Sequence, residues 1–158
     1  MYSRGMRESA ASNVVVASPL LRVGAYVTDS IILALMTLAL TGMGLLRLDD
    51  AFLPADTSSL VTLLVWQAAY HIGFTAMRAA TPGKMAMRIV IRDQEEKPLQ
   101  PDAAILRYVV ILVENVIIVG VVVSLMLMIM DPKRRTLHDR VARTLVVKAS
   151  TATEAGGA

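Results

Sequence analysis

Apolar residues gather into three long stretches, at about residues 20–46, 58–79 and 103–130, with two short polar loops between them. A run of about 20 apolar residues is what a helix needs to cross the hydrocarbon core of a bilayer. Ser18 is a good N-cap for the first stretch and Pro19 suits a first helical turn, so a helix is predicted to open there. It is long enough to span with tilt. The loop at 47–57 holds Asp49, Asp50 and Asp56 against Arg47, whereas the loop at 80–102 holds Lys84, Arg88, Arg92 and Lys97. Two β-rich runs, residues 87–92 and 143–148, are too short to stand alone and are predicted to pair with each other. The organisation expected is a polar segment over 1–18, a membrane domain over 19–148 and a disordered small-residue tail over 149–158.

Counting basic residues decides between three membrane segments and four, because Lys and Arg are retained on the cytoplasmic side. If the third stretch crosses once, the two sides hold 9 and 7 of the 16 basic residues. If it enters and returns as a helical hairpin, 15 of the 16 share one side with both termini, and only Arg47 lies opposite. The fold expected is therefore an all-α integral membrane bundle of four segments, with both termini cytoplasmic and a two-stranded β pairing on that face. The length of the third stretch argues for short or re-entrant arms, with Asn115 and Gly120 as break points. An interfacial helix over about 103–112 followed by a single crossing is the alternative.

Composition agrees with a membrane class: 158 residues, 55% hydrophobic, with a mean hydropathy of +0.57. A soluble domain is excluded on that ground. The absence of cysteine removes disulfides, thiolate metal sites and a Cys nucleophile. Residues 1–18 lack a continuous apolar core, so no cleavable signal peptide is expected. No nucleophile elbow, zinc-protease motif, Cys/His cluster or phosphate-cradling Gly loop is present, so no enzyme activity, metal or cofactor is expected. Nucleic acid is a poor partner, since the basic residues flank a bilayer segment without an aromatic platform.

Candidate chemistry lies in the ionisable residues inside the apolar stretches: Asp29, His71 and Glu114. A charge in hydrocarbon costs several kcal/mol, so each needs a partner, a water-filled cavity or a proton. Arg22 and Asp29 stand two helical turns apart on one face, about 10 Å along the axis, too far for a tight pair. Asp29 then either fixes helix packing, with Arg22 at the headgroups, or binds a cation or exchanges a proton. Gln67, His71, Thr75 and Arg78 form a polar stripe at helical spacing, and His71 either relays protons with Asp29 or Glu114 or makes one packing bond. Glu114 with Asn115 reads as an ion ligand or as the polar break of the hairpin. Arg107 precedes Glu114 by seven residues, as Arg22 precedes Asp29, and each half continues through a Pro-Lys turn to a strand. The chain thus reads as a degenerate tandem repeat.

Near the end, Thr136-Leu137-His138-Asp139 has the spacing of a capping box. Around it Lys133, Arg134, Arg135, Arg140 and Arg143 form a basic cluster whose default partner is anionic lipid headgroups.

Arg22 through Ala25-Tyr26 to Asp29, Thr81-Pro82-Gly83-Lys84 followed by Arg88-Ile89-Val90, and the run from Asp131 to Arg140 carry a family resemblance. Over about residues 19–148 the chain resembles the RDD family of small bacterial and archaeal membrane proteins, named for an arginine and two aspartates. Those residues map onto Arg22, Asp29 and Asp131. The resemblance implies a multi-pass plasma-membrane protein, with transport the suspected role and cation/proton exchange proposed for some members. His71 and Glu114 match no family motif.

The function expected is a cation- or proton-coupled transport module. Asp29, Glu114 and His71 would carry the coupling, and Arg22 and Asp131 would gate or balance charge. Thr81, Pro82, Gly83, Lys84, His138, Asp139 and Arg140 form the cytoplasmic motifs, and Lys133, Arg134 and Arg135 the lipid-facing cluster. One four-segment protomer is small for an enclosed path, so a homo-oligomer is expected, with Gly42 and Gly44 permitting close helix contact. The alternative is a non-transporting scaffold or accessory subunit that docks partners or anionic lipids through its basic face.

Overall fold

The computed structural model describes residues 14–150 except residue 117; positions 1–13 and 151–158 of the predicted terminal segments lie outside the described residues. Helix α1 (Pro19–Gly42) begins as its first residues require, with the Ser18 hydroxyl accepting from the Leu21 amide at 3.4 Å. Its buried stripe is Arg22, Ala25 and Asp29. Leu20, Ile31, Leu35 and Leu38 are exposed on the remaining surface, which suits lipid rather than water.

Asp56 caps α2 (Thr57–Ala68) by accepting from the Ser59 amide at 2.8 Å. This helix runs through a π-helical turn, Ala69–Gly73, into α3 (Phe74–Arg78). There follow a five-residue helix α4 (Pro82–Ala86), strand β1 (Ile89–Asp93), helices α5 (Pro101–Val116) and α6 (Ile118–Met130), the short helix α7 (Leu137–Val141) and strand β2 (Thr144–Lys148).

Two helical runs, Pro19–Gly42 and Thr57–Arg78, are long and apolar enough to cross a membrane; a third qualifies if α5 and α6 together make one span. These last two are bent by 120° to one another. By helix rise their arms measure about 24 and 20 Å, each short of a ~30 Å hydrocarbon core. The bend follows the exposed Asn115, and it depends on Gly120. A Cβ there would stand 2.9 Å from the Glu114 Cα, so only glycine allows the arms to approach this closely.

The two predicted strands pair, antiparallel, from Ile89↔Lys148 to Asp93↔Thr144. Each begins later than its β-rich run suggested, because Arg88 (φ 53°) and Arg143 (φ 52°) take left-handed conformations that end the preceding helices. The segment before α1 joins the sheet instead of standing apart: Ala17 N–H donates to the Val146 carbonyl and Lys148 N–H to the Val15 carbonyl, both at 2.9 Å. Ala149 is likewise held, donating to the Arg88 carbonyl at 2.9 Å, so the described fold continues past residue 148. Ala17, Ala25, Ile89, Ile91 and Val146 form one core, which fixes the sheet against the first third of α1.

A local two-fold relation organises this end of the molecule. Thr81, α4, the left-handed Arg88 and β1 recur 55 positions later as Thr136, α7, the left-handed Arg143 and β2. The backbone bonds repeat too, with Gln94 N–H on the Arg143 carbonyl at 3.0 Å and Ala149 N–H on that of Arg88 at 2.9 Å. Ile91 and Val146 are equivalent in this scheme and face each other in the ladder, so the axis passes between them. The equivalence sets Thr81 against Thr136, which corrects the sequence-based matching of the Pro82-Gly83-Lys84 turn to Pro132-Lys133.

Candidate functional site

Asp139 is the centre of the buried polar network. It lies at the third position of α7, fully buried, where its Oδ2 accepts from the Thr136 amide at 3.1 Å and completes the predicted capping box. Arg22 reaches from α1 to the same Oδ2 at 2.6 Å, and Arg107 reaches from α5 to Oδ1 and to the Thr144 hydroxyl. Burial alone would raise the Asp139 carboxyl, but the charges of Arg107, His138 and Arg22 outweigh it and hold the group well below the usual carboxylate range. Arg22 therefore neither extends to headgroups nor meets Asp131; both guanidiniums bond to one carboxylate.

Asp29 finds three donors. Its Oδ1 accepts from the Tyr70 hydroxyl at 2.6 Å and the Gly83 amide at 2.7 Å, and its Oδ2 from the Thr81 hydroxyl at 2.5 Å. Gly83 is obligatory, since a Cβ would lie 2.7 Å from the Asp29 carboxyl carbon and collide with the Ala25 carbonyl. Glu114 plays the matching part in the second half: its Oε1 accepts from the His138 amide at 3.1 Å and its Oε2 faces His138 Nδ1 at 3.1 Å. Gly83 and His138 are equivalent second positions of α4 and α7. The repeated Arg-x6-acid spacing thus has a structural meaning, each acid capping the motif helix of its own half. Among the described residues no hydrogen bond or ion pair joins Asp29, His71 and Glu114 to one another.

Asp131 closes the turn after α6. It accepts from the Lys133 amide at 2.9 Å and pairs with Arg135 at 2.8 Å and Arg140 at 3.2 Å. Burial would raise its carboxyl, yet the Arg135 hydrogen bond, the Lys133 amide and the charges of Arg135 and Arg140 bring it below the usual range. Of the expected lipid-facing cluster, Lys133 and Arg134 stay exposed while Arg135 is half-buried on Asp131.

A cavity of about 10 Å³, the room of a single water, lies beside the network. Lys84 and Arg107 line it with His71, Thr75, Thr81 and Tyr108. Lys84 donates to the Thr81 hydroxyl at 3.3 Å and is brought down to about 8, by burial first and then by the charge of Arg107, against Asp29 and Asp139. His71 sits in the π-helical turn, its ring stacked on Tyr108 at 5.7 Å and edge-on to Tyr70 at 5.3 Å. Its expected stripe holds in part: Thr75 is buried beside it, Gln67 is half-buried and Arg78 is exposed.

The family model of the RDD family matches residues 16–143, most of the chain. This chain belongs to the RDD family. Its membership, with the apolar helices, makes it a membrane protein. No curated protein and no solved structure matches it. Of the residues mapped to the family's arginine and aspartates, Arg22 and Asp29 both lie in the buried network, and Asp131 stands at its edge with Arg135 and Arg140. Sequence reasoning underrated Lys84, Tyr70 and Asp139. A signal existed for Asp139, because a capping box places its acid at a helix start, where a cation from elsewhere can reach it. Among the described residues no group of three or more His, Asp or Glu side chains is placed to hold a metal ion.

Proposed function

We propose that this RDD protein is a cation- or proton-coupled transport module of the plasma membrane. The observation that carries the reading is the meeting of Lys84 and His71 at an internal water-sized cavity beside a π-helical turn. Such turns concentrate at functional sites, and Lys84, brought down to about 8 by burial, can release its proton near neutrality with the His71 imidazole on the same cavity. Glu114 with His138 supplies a second proton-bearing pair. Asp29 is a weaker carrier than its sequence suggested, because its three donors already satisfy it. Arg22 balances charge within the network and Asp131 at its edge.

The bent α5–α6 pair supports a four-segment topology in which it enters and returns, and both termini and the sheet then face the cytoplasm with 15 of the 16 basic residues. Gly42 and Gly44 have open space around them and suit contact between copies in a homo-oligomer. Lys133 and Arg134 face anionic headgroups.

Purified protein in proteoliposomes is given inward Na⁺, Li⁺ or K⁺ gradients, and internal pH is followed. Cation-dependent proton movement that survives Asp29→Asn in folded protein but is lost with Glu114→Gln or His71→Gln is the expected result. No movement above protein-free vesicles, from folded protein in either orientation, overturns the proposal.

The saturation of Asp29 and Asp139 favours a second reading, in which the network is a staple and the protein is a scaffold docking partners through Lys133 and Arg134. In that case charge reversal at these two residues abolishes assembly, while Glu114→Gln leaves it intact.

A further inference from the structure

The local two-fold relation makes a demand that one half of the molecule does not meet. Arg22 of the first half donates to Asp139 of the second at 2.6 Å. Arg107 is the second-half counterpart of Arg22, seven residues before its acid, and Lys84 is the counterpart of Asp139, each at the third position of its short helix. The symmetric mate of the Arg22–Asp139 pair is therefore Arg107 with residue 84. There a lysine stands where the two-fold relation calls for a carboxylate.

Two consequences are visible. Arg107 bonds the acid of its own half, joining Arg22 on Asp139, and a cavity lies between Arg107 and Lys84. Thr75, Thr81, Tyr108 and His71 line it as well, and apolar Ile91, Ala104 and Ile111 close the rest of the wall. Two cations facing one cavity repel, and a negative charge between them removes that cost. The volume, about 10 Å³, admits one particle of roughly the size of water. Chloride, a little larger than water, enters when the flexible Lys84 side chain gives by a few tenths of an ångström; a carboxylate ligand or a phosphate does not fit.

We propose that a single halide ion, chloride under ordinary conditions, occupies the cavity between Lys84 and Arg107 and replaces the carboxylate missing from the first half. The ion accepts from the Lys84 ammonium, the Arg107 guanidinium and the Thr75 hydroxyl, the Thr81 hydroxyl being committed to Asp29. Its role is to complete the charge pattern of the network, whether or not the protein transports anything. The inference stands on the cavity and the repeat, independently of the transport reading.

The test uses the full-length protein in detergent. Melting temperature is measured in sodium chloride and in sodium gluconate at equal ionic strength, and ³⁵Cl linewidth is measured with bromide as competitor. Wild type is expected to gain about 3–6 °C for each tenfold rise in chloride above half-saturation and to broaden the chloride resonance until bromide displaces it. Lys84→Met should lose both effects. Lys84→Asp supplies the missing carboxylate, so it should lose chloride binding while melting in gluconate as high as wild type does in chloride. A control lacking the exposed charges of Lys133 and Arg134 should keep the chloride response. Equal melting of wild type in the two salts, with no broadening displaced by bromide, means that water fills the cavity and overturns the proposal.

Discussion

Replacing Asp139 with asparagine tests whether the buried network is a charge-balanced unit or a set of separate bonds. The substitution preserves shape and one cap acceptor but removes the carboxylate that Arg22 and Arg107 share. Those guanidiniums belong to residues only 9% and 3% exposed, so neither can recover its hydration. Breaking a buried pair in this way costs about 3–5 kcal/mol, and here two cations are stranded together. For a chain of this size that is a fall of roughly 6–20 °C in melting temperature. The single Trp66 reports unfolding in detergent, and size-exclusion chromatography after heating checks it. Replacing all three, Arg22→Met with Arg107→Met and Asp139→Leu, should recover most of the loss, because an apolar core of similar volume needs no compensation. The pH course has a definite sign. The folded carboxyl is depressed, so its contribution is complete above the ordinary value of 3.8 and is lost only as pH falls through the depressed folded value. A fall of less than about 1 kcal/mol, near the worth of a single ordinary hydrogen bond, would refute the shared-charge account.

Gly83→Ala should cost about 1–3 kcal/mol or prevent folding, since its Cβ meets the Asp29 carboxyl and the rigid Ala25 carbonyl, whereas Gly24→Ala meets only the flexible Met87 thioether at 3.3 Å and should melt within a few degrees of wild type. Lys84 is lowered to about 8 in the folded protein against an ordinary 10.5, so in gluconate stability should rise with pH across that window as the native state sheds its strained charge. A Lys84→Met variant should show a flatter course there, with Asp29, Arg22, His71, Arg107 and Asp139 still facing the site. Single cysteines introduced at Lys97 and Arg134 of this cysteine-free chain should react with impermeant maleimide from the same side of oriented vesicles; opposite sides would establish one crossing for the α5–α6 pair.

The break in the third stretch was suggested by the placement of basic residues; the hydrophobic pattern by itself determined the class, the long helices, the Ser18 start of α1 and the pairing of two short strands, because these follow from local periodicity, capping and length. The capping box at Thr136 and Asp139 was legible for the same reason. Partner choice was not. Arg22 and Asp29 share a helix face, yet each bonds to a segment more than fifty residues away, Arg22 to Asp139 and Asp29 to Thr81 and Gly83. Nothing local distinguishes Asp139 from Asp131 as the acceptor for Arg22. Packing decides it, by bringing α4 and the sheet against α1 and α7 against α5, which sets Asp139 within reach of both arginines. The repeat was visible as a spacing of arginine and acid, but its register, and the lysine that breaks it at position 84, emerged only once β1 and β2 had paired around Ile91 and Val146. Long-range charge pairing depends on where elements dock, and that is set by the summed burial of many apolar side chains rather than by the charged residues themselves.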